Sequence, residues 1–122
     1  MRVIIVEPMK PPRVAEIGSA LRDLQQAVGG SIEMVPAELG DSALVICNEE
    51  GKLLGLPGNR FVYDEDGIPY DLIAGTFLIC DDRQGELVSI TPEHEQKYME
   101  RYGREMILSL PEMSHHKPDT ER

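Results

Sequence analysis

Three four-residue stretches in the middle of the chain share one grammar: Asn48-Glu49-Glu50-Gly51, Asp64-Glu65-Asp66-Gly67 and Asp82-Arg83-Gln84-Gly85. Asn or Asp at the first place and Gly at the fourth favour a type I turn. Its glycine, at positive φ, makes the bulge that matches the twist of a β-hairpin. The three glycines are 16 and 18 residues apart with apolar runs between them, so the centre of the chain reads as successive antiparallel strands. The flanking residues do not match, so this is no internal repeat. Leu56-Pro57-Gly58-Asn59 is a different turn, with Pro and Gly placed as type II requires and Gly58 expected at positive φ. It would follow a short strand, Lys52 to Leu56, and set Asn59 and Arg60 at the far end of a hairpin from the Asn48–Gly51 loop.

The rest of the chain supplies partners for such strands. Arg2 to Val6 is a short apolar run rich in β-branched residues, read as a strand that is buried if central, and Arg13 to Ile17 alternates and can pair back on it. Ser19 to Val28 reads as a helix: Ser19 as N-cap, Leu21, Leu24 and Val28 on one face, and Gly29 as the left-handed stop. Ser31 to Val35 is a further strand. Ile68 to Cys80 is the longest apolar stretch, with Gly75 marking a bulge or a close backbone approach. Glu86 to Ile90 is another strand. Thr91 as cap, Pro92 in the first turn, Glu93 and Glu95 at the positive end of the dipole and Gly103 as terminator predict a second helix over about 92–102. Tyr98, Met99 and Tyr102 form its apolar stripe. The expected fold is α+β: one domain over residues 1–110, a mostly antiparallel twisted sheet of five to seven strands with two helices, its short edges open to dimerisation. Residues 111–122, which include His115 and His116, read as a flexible polar tail.

Charge narrows the function. Twelve basic against 22 acidic side chains leave a net charge of −10. Residues 37 to 82 carry ten acidic groups against Lys52 and Arg60 alone. Direct nucleic-acid binding is not expected, because it relies on clustered Lys and Arg to release counterions. A basic protein surface is the better-matched partner, and solubility alone also accounts for the acidity. Glu49, Glu50, Asp64, Glu65, Asp66, Asp81 and Asp82 are expected at hydrated loop tips. With no Trp, two Phe and four Tyr, the core must be mainly aliphatic. No run is long enough to span a membrane, and the N-terminus has the wrong flanks for a signal peptide. Cys47 and Cys80 sit inside apolar runs and read as buried free thiols of a cytoplasmic protein.

Catalytic and metal motifs are missing in recognisable form. Asp64 to Gly67 superficially resembles part of a calcium loop but lacks its longer register and closing Glu, so no metal and no cofactor are expected. No phosphate-cradling glycine pattern, nucleophile elbow or zinc signature occurs, and the reading is a non-catalytic binding protein. Arg60 stands out as one of two cations among ten acids, with Phe61 and Tyr63 beside it. Its fork suits a phosphate or carboxylate, with an aromatic neighbour to stack a base. Alternatively it forms an internal ion pair to Asp64 or Asp71.

The segments Leu44 to Arg60 and Asp71 to Cys80, with the strand and helix patterns before them, resemble an uncharacterised small-domain family carried by phages, plasmids and conjugative elements of Firmicutes. The resemblance spans about residues 1–102. It implies functional candidates at Asn48, Gly51, Lys52, Pro57, Asn59, Arg60, Asp71, Gly75 and Thr76, and no established reaction. By analogy, such a protein is a stoichiometric inhibitor of a host defence protein, of anti-CRISPR or antirestriction type, its acidic turn tips set against a basic nuclease groove. Two alternatives stand beside this: a sponge that captures a signalling nucleotide around Asn59, Arg60 and Thr76, and a regulatory or scaffolding protein of the element. The partner-binding set is therefore Asn48, Glu49, Glu50, Lys52, Asn59, Arg60, Tyr63, Asp71 and Thr76, on turns built by Gly51, Pro57, Gly58, Gly67 and Gly85.

Overall fold

The computed structural model describes the backbone of residues 1–116 and the side chains of residues 1–105. Among these residues, eight strands and two helices follow in the order β1 (Arg2–Val6), β2 (Arg13–Glu16), α1 (Leu21–Val28), β3 (Ile32–Pro36), β4 (Ala43–Asn48), β5 (Gly58–Tyr63), β6 (Pro69–Ala74), β7 (Phe77–Arg83), β8 (Glu86–Val88) and α2 (Pro92–His116). Six strands form one sheet in the order β2-β1-β7-β4-β3, with β8 pairing β7 beyond the end of β1; β5 and β6 form a separate two-stranded sheet. Every strand pair is antiparallel. The fold is α+β, as the turn grammar and helix signals predict.

Alternation sorts the large sheet into two faces. Val3, Ile46, Leu78 and Cys80 point to α1, where Leu24 and Val28 cover them. Ile4, Val6, Val45, Cys47, Phe77 and Ile79 point the other way, into a core closed by Tyr98 and Tyr102 of α2 and by Val62 and Ile73 of the small sheet. The large sheet is thus the middle of three layers, and β5–β6 lies beside α2 on the outer one. Cys47 and Cys80 are both buried and free. Burial, the first cause in each case, pushes their thiols up to about 11 and about 12.

Several local expectations are corrected. Lys52 to Leu56 is not a strand. The Asn48 side chain accepts from the Glu50 N–H at 2.8 Å, an Asx turn that bends the chain at once. A helical turn follows, Leu54 N–H donating to the Glu50 carbonyl at 2.9 Å. It ends at Gly55 with φ 73°, so positive φ falls on Gly55 rather than on Gly51 or Gly58. Gly51 is buried instead, where an added Cβ would lie 2.7 Å from the Ala74 carbonyl oxygen. Gly58 begins β5 in extended form. Gly67, at φ 78°, does close the β5–β6 hairpin. Gly85 closes β7–β8, but through a two-residue turn: Gln84 (φ 54°) and Gly85 (φ 88°) both take positive φ between paired Arg83 and Glu86, the type I′ pattern.

The long apolar stretch divides at Gly75, φ 86°, into β6 and β7, which belong to different sheets. Helix α1 starts at Leu21 with Ala20 as N-cap, not Ser19; the Ala20 N–H donates to Asp23 Oδ2 at 3.2 Å. Gly29 stops it as expected, at φ 83°. Helix α2 passes through Gly103 to His116, because an interior glycine weakens a helix without ending it unless φ turns positive. The expected tail is therefore helical over 111–116, and 117–122 lie outside the described residues.

Candidate functional site

Helix α2 is held to the sheet by polar anchors at two places. At its first turn, Thr91 Oγ1 accepts from the His94 N–H at 3.2 Å, the predicted cap. Asp81, expected at a loop tip, is instead 2% exposed. It accepts from Ser42 Oγ at 2.7 Å and from the Thr91 N–H at 2.9 Å, and its Oδ1 lies 2.9 Å from His94 Nδ1. The other imidazole nitrogen, Nε2, is 3.0 Å from Asp41 Oδ1. The His94 ring thus bridges two carboxylates. Asp41 also accepts from Tyr98 Oη at 2.6 Å and Lys97 Nζ at 2.9 Å. Burial disfavours the charge of Asp41, but the Tyr98 and Lys97 hydrogen bonds and the nearby His94 outweigh it and hold its pKa below the ordinary value. One turn on, Arg101 reaches Glu38 at 3.0 Å and lies 4.3 Å above the Tyr63 ring.

The second anchor is Arg60, 1% exposed. Its Nε and Nη2 donate to the Tyr102 carbonyl at 3.2 and 2.9 Å. Nη1 donates to the Glu7 carbonyl at 3.2 Å and to Asn59 Oδ1 at 2.8 Å, and Nη2 also donates to the Lys10 carbonyl at 2.8 Å. A guanidinium has five N–H donors, and five bonds are made. Burial draws its pKa down, while Glu105 and Tyr102 oppose that shift. Asn59 orients it, its amide donating to the Val6 and Gly75 carbonyls, each at 2.9 Å. The outer edge of β5 is closed by the same helix: Glu105 accepts from the Phe61 N–H at 2.9 Å and from the Tyr63 hydroxyl, and Tyr102 Oη donates to the Phe61 carbonyl at 2.7 Å.

On the opposite side of the small sheet no such cover occurs among the described residues. Phe61 pairs with Leu72 across the hairpin, and both are exposed, at 39% and 37%. Tyr70, the extra residue of a bulge in β6, is 47% exposed. Leu53 and Leu54, in the turn after β4, are 87% and 60% exposed. A cavity of about 120 Å³ lies between β6 and this turn, lined by Glu33, Asn48, Glu49, Lys52, Leu53 and Asp71 among others. Lys52 Nζ bonds Asp71 Oδ1 at 2.7 Å over it, both side chains well exposed.

The family described as "Domain of unknown function (DUF3846)" matches residues 1–103. The chain belongs to that family. No curated protein and no solved structure matches it. The DUF3846 match takes in all eight strands, α1 and α2 as far as Gly103, so both anchors and the open hairpin face lie within it.

Within this DUF3846 domain the expected binding residues separate into distinct places. Lys52, Asp71, Asn48 and Glu49 meet around one cavity, with Glu50 exposed beside them. Asn48 is itself 6% exposed, its amide donating to the Val28 carbonyl at 3.2 Å, so it ties α1 to the turn. Asn59 and Arg60 form the internal anchor. The expected partners of Arg60, Asp64 and Asp71, are engaged elsewhere: Asp64 Oδ1 accepts from the Asp66 and Ile68 N–H groups at 2.9 Å, and Asp71 pairs with Lys52. Thr76 lines a separate cavity of about 390 Å³ with Pro57, Gly75 and the end of α1. Tyr63 lies against α2. The nucleotide pocket expected around Asn59, Arg60 and Thr76 therefore lacks a free guanidinium donor. Sequence reasoning missed Glu38, Asp41, Asp81, Lys97 and Arg101. Their signal was the spacing His94, Lys97, Tyr98, Arg101, one face of a helix.

Proposed function

We infer that the domain is a non-catalytic binding protein whose contact surface is the β5–β6 face with the neighbouring turn, and that its partner is a protein with a basic surface. The observation that carries this is the exposed cross-strand pair Phe61 and Leu72, with exposed Tyr70, Leu53 and Leu54 in the neighbouring bulge and turn, set between two acidic segments. Glu49 and Glu50 stand at one end; Asp64, Glu65 and Asp66 form the hairpin tip at the other. Such a surface suits a partner that offers an apolar contact flanked by Lys or Arg, more than one that expects an even row of phosphates.

The resemblance to proteins of phages and other mobile elements supplies a setting, in which the partner is a host defence nuclease or effector and the domain its stoichiometric inhibitor, acting in the cytoplasm. The test is capture from host lysate by wild type and by the pair Phe61→Lys with Leu72→Lys. The reading expects a basic protein retained by wild type, lost by the double variant and released by added salt. A captured protein indifferent to both the substitutions and salt would overturn it.

A further inference from the structure

The two edges of the small sheet differ in a way that specifies how a partner would attach. Phe61 directs its N–H and carbonyl away from β6, toward Glu105 and Tyr102. Phe61 and Leu72 are therefore a non-hydrogen-bonded pair of the antiparallel ladder. It follows that the Leu72 N–H and carbonyl point away from β5, out along the free edge of β6. Among the described residues β6 pairs only with β5; at Ala74 the edge is covered by the turn, where a Cβ on Gly51 would lie 2.7 Å from the Ala74 carbonyl oxygen, and at Leu72 it is open. The Leu72 N–H donates to the Asp71 carboxylate of its own strand at 2.8 Å, a local substitute for a ladder bond. Asp71 is in turn held by exposed Lys52, an ion pair of a kind worth little. An exposed edge of this type is normally blocked by a lysine, a proline or a bulge, or else it is used. β6 carries two of these blocks at its start, Pro69 and the bulge at Tyr70; at Leu72 the blocking group is a movable side chain.

We propose that the free edge of β6 receives an extended segment of the partner by strand addition, the segment alternating Lys or Arg with apolar residues. This deepens the reading above and rests on it. Main-chain bonds would run to the Leu72 N–H and carbonyl. The side chains facing the apolar sheet surface would meet Leu53 and Leu72. Those on the other side would meet the carboxylates of Glu33, Glu49 and Asp71 around the cavity. Charge selects this occupant over a second copy of the same chain, which would bring a second Asp71 close to the first. Lys52 already places an ammonium where the incoming cation would sit, and it is displaced on binding.

The test uses the full chain and the peptide acetyl-(Lys-Val)4-amide, with its (Glu-Val)4 counterpart and a version N-methylated at alternate amides. Amide exchange is followed by NMR. With the basic peptide at about ten times its dissociation constant, exchange at Leu72 should slow about tenfold, while Phe61, sealed against α2, stays unchanged. The N-methylated peptide should fail to bind. If it binds equally well, or if the Leu72 amide is unaffected at saturation, strand addition is wrong while the acidic and apolar face remains a contact surface. Equal binding of the acidic peptide removes the basic occupant. No heat from the basic peptide at about 1 mM, a concentration that would reveal even weak association, overturns the proposal. Loss of lysate capture on Phe61→Lys with Leu72→Lys, in that case, leaves the broader reading standing.

Discussion

The two edges of the β5–β6 sheet are built from the same hairpin and lie one strand apart, yet they are finished in opposite ways. The β5 edge is sealed by α2: Glu105 and Tyr102 take up both backbone groups of Phe61, and Arg60 spends every N–H on carbonyls of the β1–β2 loop, Asn59 and the helix. The β6 edge is finished at Leu72 by one exposed aspartate and one exposed lysine. A two-stranded sheet is marginal alone, so the sealed edge explains how this one persists. The open edge then needs no role in stability, and its residues are free to serve contact with another molecule. The comparison teaches that the most buried polar groups of this domain hold it together, whereas a solvent-exposed ion pair guards the edge proposed for contact.

The largest effect should come from breaking the sealed side. Replacing Arg60 with Met keeps the volume but leaves the Tyr102, Glu7 and Lys10 carbonyls without their donor in a buried site. The expected cost is about 3 kcal/mol or more, read as a fall in the denaturation midpoint with the denaturant slope unchanged. Peptide binding at β6 should survive in the folded fraction. If Arg60→Met folds with wild-type stability but loses binding, the sealed and open edges have been assigned the wrong way round.

Next in size is the other anchor of α2. The Asp41 pKa is held below its ordinary value of 3.8, so its charged form stabilises the fold fully above about pH 4. That contribution is lost as pH falls through the lower, folded-state value. Asp41→Asn should cost about 1–3 kcal/mol near neutrality and should flatten the acid limb of the stability curve below pH 4. An acid limb of the same steepness in the variant would place the sensitive carboxylate elsewhere.

How much of this was legible beforehand follows a physical division. Gly29, Gly67, Gly85 and the Thr91-Pro92 start carry local backbone information, and they punctuate the chain as their residue types require. The Asn48–Gly51 turn misled because the same Asn-x-x-Gly pattern also serves an Asx turn running into a helical turn; exposure of Leu53 and Leu54, rather than local preference, decides between the two. The anchors were illegible for a different reason. Asp41, Asp81 and His94 come from three separate elements, and only the folded topology brings them together. Arg60 was singled out as one of two cations in an acidic stretch. Its use proved to be five hydrogen bonds inside the chain. The grouping of Lys52 with Asp71 is of the same long-range kind.

The smallest effect on stability sharpens the comparison most. Lys52 and Asp71 are 64% and 46% exposed, and a pair so placed contributes about 0–1 kcal/mol. Lys52→Ala should therefore leave the thermal midpoint within error of wild type. It should also remove the Lys52 ammonium from the open edge and release the Asp71 carboxylate to an incoming side chain. At low salt, acetyl-(Lys-Val)4-amide should then bind about two- to fivefold more tightly than to wild type, and the gain should vanish as salt is raised. The same substitution should weaken the (Glu-Val)4 peptide further. A large fall in stability would show that the pair holds the turn onto β6, and that this edge is sealed like its opposite. Tighter binding with unchanged stability is what an edge guarded by a side chain marginal to the fold requires.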